Sequence, residues 1–191
     1  MTEKSYRHKD SVGRGNIILL MGISGSGKTT LGKKLQAALA KENNRGVEFI
    51  DGDHTRLFIG HDIGYSEQER FLITKIMVYA ATLLANNGTH VVVSNIAGKA
   101  YVREYMAAKW NEHIQIFLDA NIDDCIAHDP KGVYREALQQ NPPHIMGLDI
   151  PYDRPENPDL VLNPYCESVD QSLAKILHLL HDRGIINRKL L

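Results

Sequence analysis

Apolar residues in this chain recur in two rhythms. Short, continuous, largely β-branched runs lie at 16–21, 47–50, 89–94, 115–118 and Leu160–Leu162. Runs of that length with little alternation predict strands buried on both faces, as in a parallel sheet. Between them the spacing lengthens to three and four. Residues 29–41 place Leu31, Leu35, Ala38 and Leu39 on one side of a helix. Glu67–Asn86 reads as a second helix, with Leu72, Ile76, Tyr79, Ala80 and Leu83 inward. Residues 102–110 and 169–181 read as two more.

Strands that alternate with helices predict an α/β domain, a parallel β-sheet with helices on both faces. Such sheets take ligands beyond the carboxyl ends of their strands. The residues there are Gly22 onward, Asp51 and Asp53, Asn95 and Ile96, and Asp119, which are expected to converge on one crevice. The stretch 129–157 matches no sheet element and is rich in proline and charge, with a short helix expected at 134–140. Loops of that length are often functional, and this one is read as a lid over the crevice.

Composition adds limits to this picture. The 191 residues suit one domain over 1–191, with a flexible lead at 1–14. A formal net charge of −1 argues against a nucleic-acid polymer as partner. No apolar run reaches the ~20 residues that span a bilayer, and the leading residues lack the apolar core of a signal peptide. Two cysteines, Cys125 and Cys166, make no disulfide framework, so a cytoplasmic setting is expected. Cys125 reads as a buried structural thiol. The nine histidines show no metal-ligand spacing, and His61 and His90 are read as surface or packing residues.

The chemistry starts at Gly22-Ile23-Ser24-Gly25-Ser26-Gly27-Lys28-Thr29, followed by Thr30. Strand before and helix after are the context that the phosphate-binding loop pattern demands. Gly22, Gly25 and Gly27 allow backbone conformations closed to other residues, so that N–H groups wrap phosphate. Ser24, Ser26 and Thr30 belong to the same nucleotide-binding run. The dipole of the following helix favours the anion. Lys28 brings a mobile charge to the β- and γ-phosphates, and Thr29 a hydroxyl for Mg2+. Asp51-Gly52-Asp53 ends the second strand, where a carboxylate can order a magnesium-bound water or accept an alcohol proton. Arg56 and Arg70 are candidate clamps for an anionic acceptor.

With these residues the chain resembles adenylylsulfate kinases, over about 17–163. The landmarks are the glycine-rich loop, Asp51-Gly52-Asp53 with Arg56, Gly64-Tyr65-Ser66 with Arg70, Asp129-Pro130-Lys131-Gly132 with Tyr134, and Gly147-Leu148-Asp149-Ile150-Pro151-Tyr152 with Pro155-Glu156. The resemblance implies a P-loop kinase fold. It also implies transfer from ATP, with Mg2+, to the 3′-hydroxyl of adenosine 5′-phosphosulfate, in sulfate assimilation and commonly as a homodimer. Asp53 becomes the base or orienting carboxylate, Asp51 joins Thr29 at the metal, and Lys131 stabilises the transferred phosphoryl group. Arg56, Tyr65, Arg70, Asn95, Ile96, Lys131 and Ile145 become acceptor-binding residues, with Tyr65 where the family usually has phenylalanine.

The departures fall on one side. Ile73 stands where the family has asparagine, and Ile96-Ala97-Gly98-Lys99-Ala100 where it has isoleucine-serine-proline-aromatic-arginine. His128 replaces an arginine, and Ile145 a phenylalanine. The donor residues are otherwise intact. Four readings follow: an adenylylsulfate kinase that compensates through Lys75, Lys99 or Asn95; a kinase of another nucleotide-linked acceptor such as cytidine diphosphoramidate; a nucleotide-binding regulator without catalysis; and a kinase of a sugar acid on the same fold.

Overall fold

The computed structural model describes residues 13–42, 46–60, 63–129, 131–140 and 142–187. The expected lead at 1–14 therefore lies almost wholly outside the described residues, as do His61 and Pro130.

Five parallel strands form one sheet: β1 (Ile17–Met21), β2 (Val47–Asp51), β3 (His90–Asn95), β4 (Ile114–Leu118) and β5 (Leu160–Leu162), in the order β2-β3-β1-β4-β5. All four pairings are parallel. β1 is central and wholly buried, and its period-2 alternation feeds two cores. Ile17, Leu19 and Met21 pack with α3 (Glu67–Asn86) and α4 (Ala100–Trp110) on one face. Ile18 and Leu20 pack with α1 (Lys28–Glu42) and α7 (Val169–Asp182) on the other. Register then fixes the carboxyl ends. Met21 lies beside Asn95, and Asp51 beside Ser94. The sequence-level pattern of five strands is therefore met within a residue or so at each end.

Helix termini carry local signals. Ser66 and Glu69 close a capping box at the start of α3, and Ser168 and Gln171 do so for α7. The inward face of α3 differs from the expected one. Ile73, Met77, Val78, Ala81 and Ala85 are buried, while Leu72, Tyr79 and Leu83 are exposed. The larger side chains suggested a stripe one residue away, but the small Ala81 and Ala85 are what allow close packing on the sheet.

Three helices have no counterpart in the apolar pattern or only a displaced one. α2 (Gly52–Ile59) buries no residue, and Leu57 and Phe58 are exposed. It starts because the Asp51 side chain accepts from the backbone N–H groups of Asp53 and His54. α5 (Ile122–His128) is seven residues long, and α6 (Val133–Ala137) lies within the expected 134–140 apart from its first residue. The stretch read as a lid is anchored at a few of its residues. Tyr134, Ala137 and Ile145 form a third small core with Ile23 and Cys125, behind the glycine-rich loop. Cys125 is buried, and that burial raises its thiol pKa, which fits the structural role expected of it. His90 is buried and accepts from the Asn16 backbone N–H at 3.0 Å, the packing role read for it.

Candidate active site

The strand ends open into one cleft of about 400 Å³. Its floor is the turn from β1 into α1. Gly25 and Gly27 take φ values of 77° and 85°, where a Cβ is strained. Gly25 has a second constraint, since a Cβ there would sit 3.2 Å from Cys125 Cβ. Two tyrosines fasten the loop from behind. Tyr134 donates to Ser24 O at 2.8 Å and Tyr165 to Gly25 O at 3.1 Å.

Lys28 opens α1 and is almost fully buried. Its ammonium donates to Gly22 O at 2.9 Å, Ile23 O at 2.6 Å and Ser26 Oγ at 3.3 Å. Burial pushes its pKa down to about 8, although Asp53 and Asp51 pull the other way. Thr29 Oγ1 donates to Asp51 Oδ2 at 2.8 Å. Asp51 thus ends β2, caps α2 and meets Thr29 with one carboxylate. Two hard oxygen donors at that spacing suit Mg2+, which usually completes its shell with water and substrate phosphates rather than a protein cage. Among the described residues no cluster of three His, Cys, Asp or Glu forms such a cage.

Asp53 stands two residues beyond Asp51, at the exposed second position of α2. Its Oδ2 pairs with Lys131 Nζ at 2.8 Å, across 78 residues of sequence. Burial acts to lower the Lys131 pKa, but the hydrogen bond and charge of Asp53 outweigh it and raise the value, so the ammonium stays charged.

The other wall comes from α2 and α3. The Arg56 guanidinium lies 4.3 Å from the Tyr65 ring centroid and that of Arg70 5.4 Å from it. Arg56 also donates to Ile63 O and Gly64 O, and Arg70 to Tyr65 O at 2.6 Å and His144 O at 2.7 Å. The two cations and one ring form a single cluster on this wall of the cleft.

Of the residues named from sequence, Ser24, Gly25, Gly27, Lys28, Thr29, Thr30, Asp51, Asp53, Arg56, Tyr65, Arg70, Asn95, Ile96 and Lys131 all line this cleft. Gly22 and Ser26 support the loop instead. Two expectations fail. Asp119 leaves the crevice and pairs through both carboxylate oxygens with Arg154, at 2.8 and 2.5 Å. Ile145 is buried in the third core, and its neighbours Met146 and Ile150 line the cleft in its stead. The turn causes this: Asp149 accepts from the backbone N–H groups of His144 and Ile145, which turns Ile145 inward. Glu67, Phe71, Thr74 and Tyr101 also line the cleft and were not foreseen. Glu67 and Thr74 share the helical face of Arg70, at i−3 and i+4, so that spacing was the available signal for those two.

The model of the adenylylsulphate kinase family matches residues 14–163. The chain belongs to the adenylylsulphate kinase family. It is similar to an adenylyl-sulfate kinase of Deinococcus deserti, 34% identical and covering 88% of this chain and 93% of that protein. One from Myxococcus xanthus is 32% identical, covering 91% and 95%. A solved adenylylsulfate kinase from Mycobacterium tuberculosis, in complex with AMPPNP and APS, superposes with a TM-score of 0.80. It is 32% identical and covers 88% of this chain and 99% of that one. The P-loop kinase fold read from sequence is thereby shown.

Within this family's frame the chain's departures have definite places. Ile73 is buried, in the α3 core and at the cleft wall. Ala97 takes φ 46°, held by Asn95 Oδ1, which accepts its N–H at 2.8 Å. Gly98 is needed for room, because a Cβ would approach Met146 Cγ to 2.7 Å and Tyr152 Cδ2 to 3.0 Å. His128 packs on Tyr165, ring centroids 5.0 Å apart, outside the cleft.

Proposed function

We propose that this kinase transfers the γ-phosphoryl group of ATP to the 3′-hydroxyl of adenosine 5′-phosphosulfate. The observation that carries the reading is the cleft lined together by Lys28, Thr29 and Asp51, by Arg56, Tyr65 and Arg70, and by the Asp53–Lys131 pair. The membership of the adenylylsulphate kinase family supports it.

Each residue has a defined task. The glycine-rich loop and Lys28 hold the β- and γ-phosphates. Two cations there, Lys28 and Lys131, face three carboxylates, Asp51, Asp53 and Asp129. A triphosphate is therefore received only with added positive charge, and Thr29 and Asp51 are the residues that would hold Mg2+. When bound, that ion neutralises charge on the phosphates. Arg56 and Arg70 draw in the acceptor's anionic end, and the Tyr65 ring offers its base a face. The 3′-hydroxyl oxygen then bonds to the γ-phosphorus while the bond to the β-phosphate oxygen breaks. Asp53 accepts the hydroxyl proton, Lys131 balances the charge on the transferred group, and ADP leaves. Closure of 129–157 over the cleft would limit transfer to water.

The same proposal includes sulfate assimilation in a cytoplasm and a homodimer. No helix among the described residues is long and apolar enough to cross a membrane. A panel of acceptors with radiolabelled ATP tests the function. Label in 3′-phosphoadenosine 5′-phosphosulfate is expected. Transfer to cytidine diphosphoramidate instead would redirect the assignment, and the apolar Ile73 on the cleft wall favours that second reading over the others. Binding of ATP with no transfer to any acceptor would leave a regulator.

A further inference from the structure

Three residues stood as replacements for the family's missing acceptor groups, and their surroundings separate them. Lys75 lies 4.5 Å from the Phe71 ring centroid and does not line the cleft. Asn95 lines it but is committed. Its amide donates to Thr74 Oγ1 at 3.2 Å and Met77 Sδ at 3.3 Å, and its carbonyl oxygen holds Ala97 N–H. Lys99 lines the cleft from the loop after β3, and its ammonium lies 3.7 Å from Asp153 Oδ1, beyond a good hydrogen bond.

The loop that carries Lys99 is tightly fixed, while the charged tip is not. Tyr152 donates to Ile96 O at 3.2 Å, Asp153 N–H to Gly98 O at 2.7 Å, and Arg103 to Ala97 O at 2.8 Å. Asp153 Oδ2 accepts from Ala100 N–H at 3.1 Å. A fixed backbone leaves only the lysine side chain to be ordered on binding, and its loosely paired ammonium gives up little on changing partner. The guanidiniums of Arg56 and Arg70, by contrast, already donate to backbone carbonyls.

We propose that Lys99 is a specificity-determining cation for the acceptor's anionic group, with Asp153 as the resting partner that the acceptor displaces. Lys99 lines the same cleft as Arg56 and Arg70 and adds a further cation to it from a separate element. The acceptor favoured is one whose anionic group reaches between α3 and the loop after β3, a nucleotide with two negative charges rather than a neutral alcohol. This assignment rests on the proposed kinase function.

Steady-state kinetics of five proteins test it: wild type, K99M, K99R, D153N and the K99M/D153N double variant. Lys99 makes no side-chain cap for α4, so its loss leaves the helix start intact. K99M is expected to raise KM for adenosine 5′-phosphosulfate about tenfold, with kcat and KM for ATP within about twofold, and K99R to restore most of the loss. D153N, whose side-chain oxygen can still accept from Ala100 N–H, is expected to lower that KM about twofold to threefold in wild type and not at all in the K99M background. Added salt should weaken acceptor binding less in K99M than in wild type. An unchanged acceptor KM in K99M, with an active wild type, overturns the role of Lys99 and leaves the kinase function standing. Should K99M fail to fold, a D153N acceptor KM equal to or above that of wild type overturns it. A wild type that phosphorylates no acceptor overturns the function, and the role of Lys99 falls with it.

Discussion

The donor and acceptor halves of the cleft are built in different ways. The donor half is nearly continuous in sequence: 22–30 and 51–53 supply its loop, lysine, hydroxyl and carboxylates. Its geometry comes from backbone, from positive-φ glycines and a strand that runs straight into a helix. The acceptor half is assembled from α2, α3, the loop after β3 and the turn at 144–150. It is held by side chains bonding to distant carbonyls, such as Arg70 to His144 O across 74 residues. Backbone-built geometry resists substitution, whereas side-chain scaffolds can be retuned one residue at a time. The departures Ile73, Ala97, Gly98 and Lys99 all fall in the second kind of structure.

Variants can break this division. Lys28→Ala is expected to have the largest effect, about 10⁴-fold in kcat/KM, since it removes the buried charge at the phosphates. Measured KM values should show ATP affinity reduced and acceptor affinity kept. Asp53→Ala should lower kcat about 10³-fold, while ATP binding stays detectable by calorimetry. Full activity in that variant would remove Asp53 from its role. Arg70→Ala should raise acceptor KM about thirtyfold with ATP KM unchanged; a matching rise in ATP KM would mean the halves are one network.

A pH series sharpens the donor side. Lys28 is pushed down to about 8 by burial. It is fully charged only below that value, so ATP KM is expected to rise severalfold as pH increases from 7 to 9, with acceptor KM less affected. For folding, the cost of a buried ammonium is present below pH 8 and is relieved between 8 and 10.5, where the unfolded chain binds the extra proton. A flat ATP KM across this window would contradict the assignment. The smallest effect belongs to Tyr134→Phe, which removes the bond to Ser24 O. A loss of about 1 kcal/mol in denaturant melts is expected, with acceptor KM unchanged.

The apolar rhythm of the chain determined its parallel sheet, because strands buried on both faces must be continuously apolar and their connections must be helical. The glycine-rich loop with Lys28 and Thr29 was equally legible, because its function is local backbone geometry that the sequence spells out residue by residue. Helix faces were less so: the small Ala81 and Ala85, rather than Leu72 and Leu83, face the sheet, a choice made by packing distance. Only the tertiary structure paired Asp53 with Lys131, set Arg56 and Arg70 around Tyr65, turned Ile145 away and drew Asp119 to Arg154. Those contacts join residues from separate elements, so their energies depend on how helices settle on the sheet, and no short stretch of sequence contains that information.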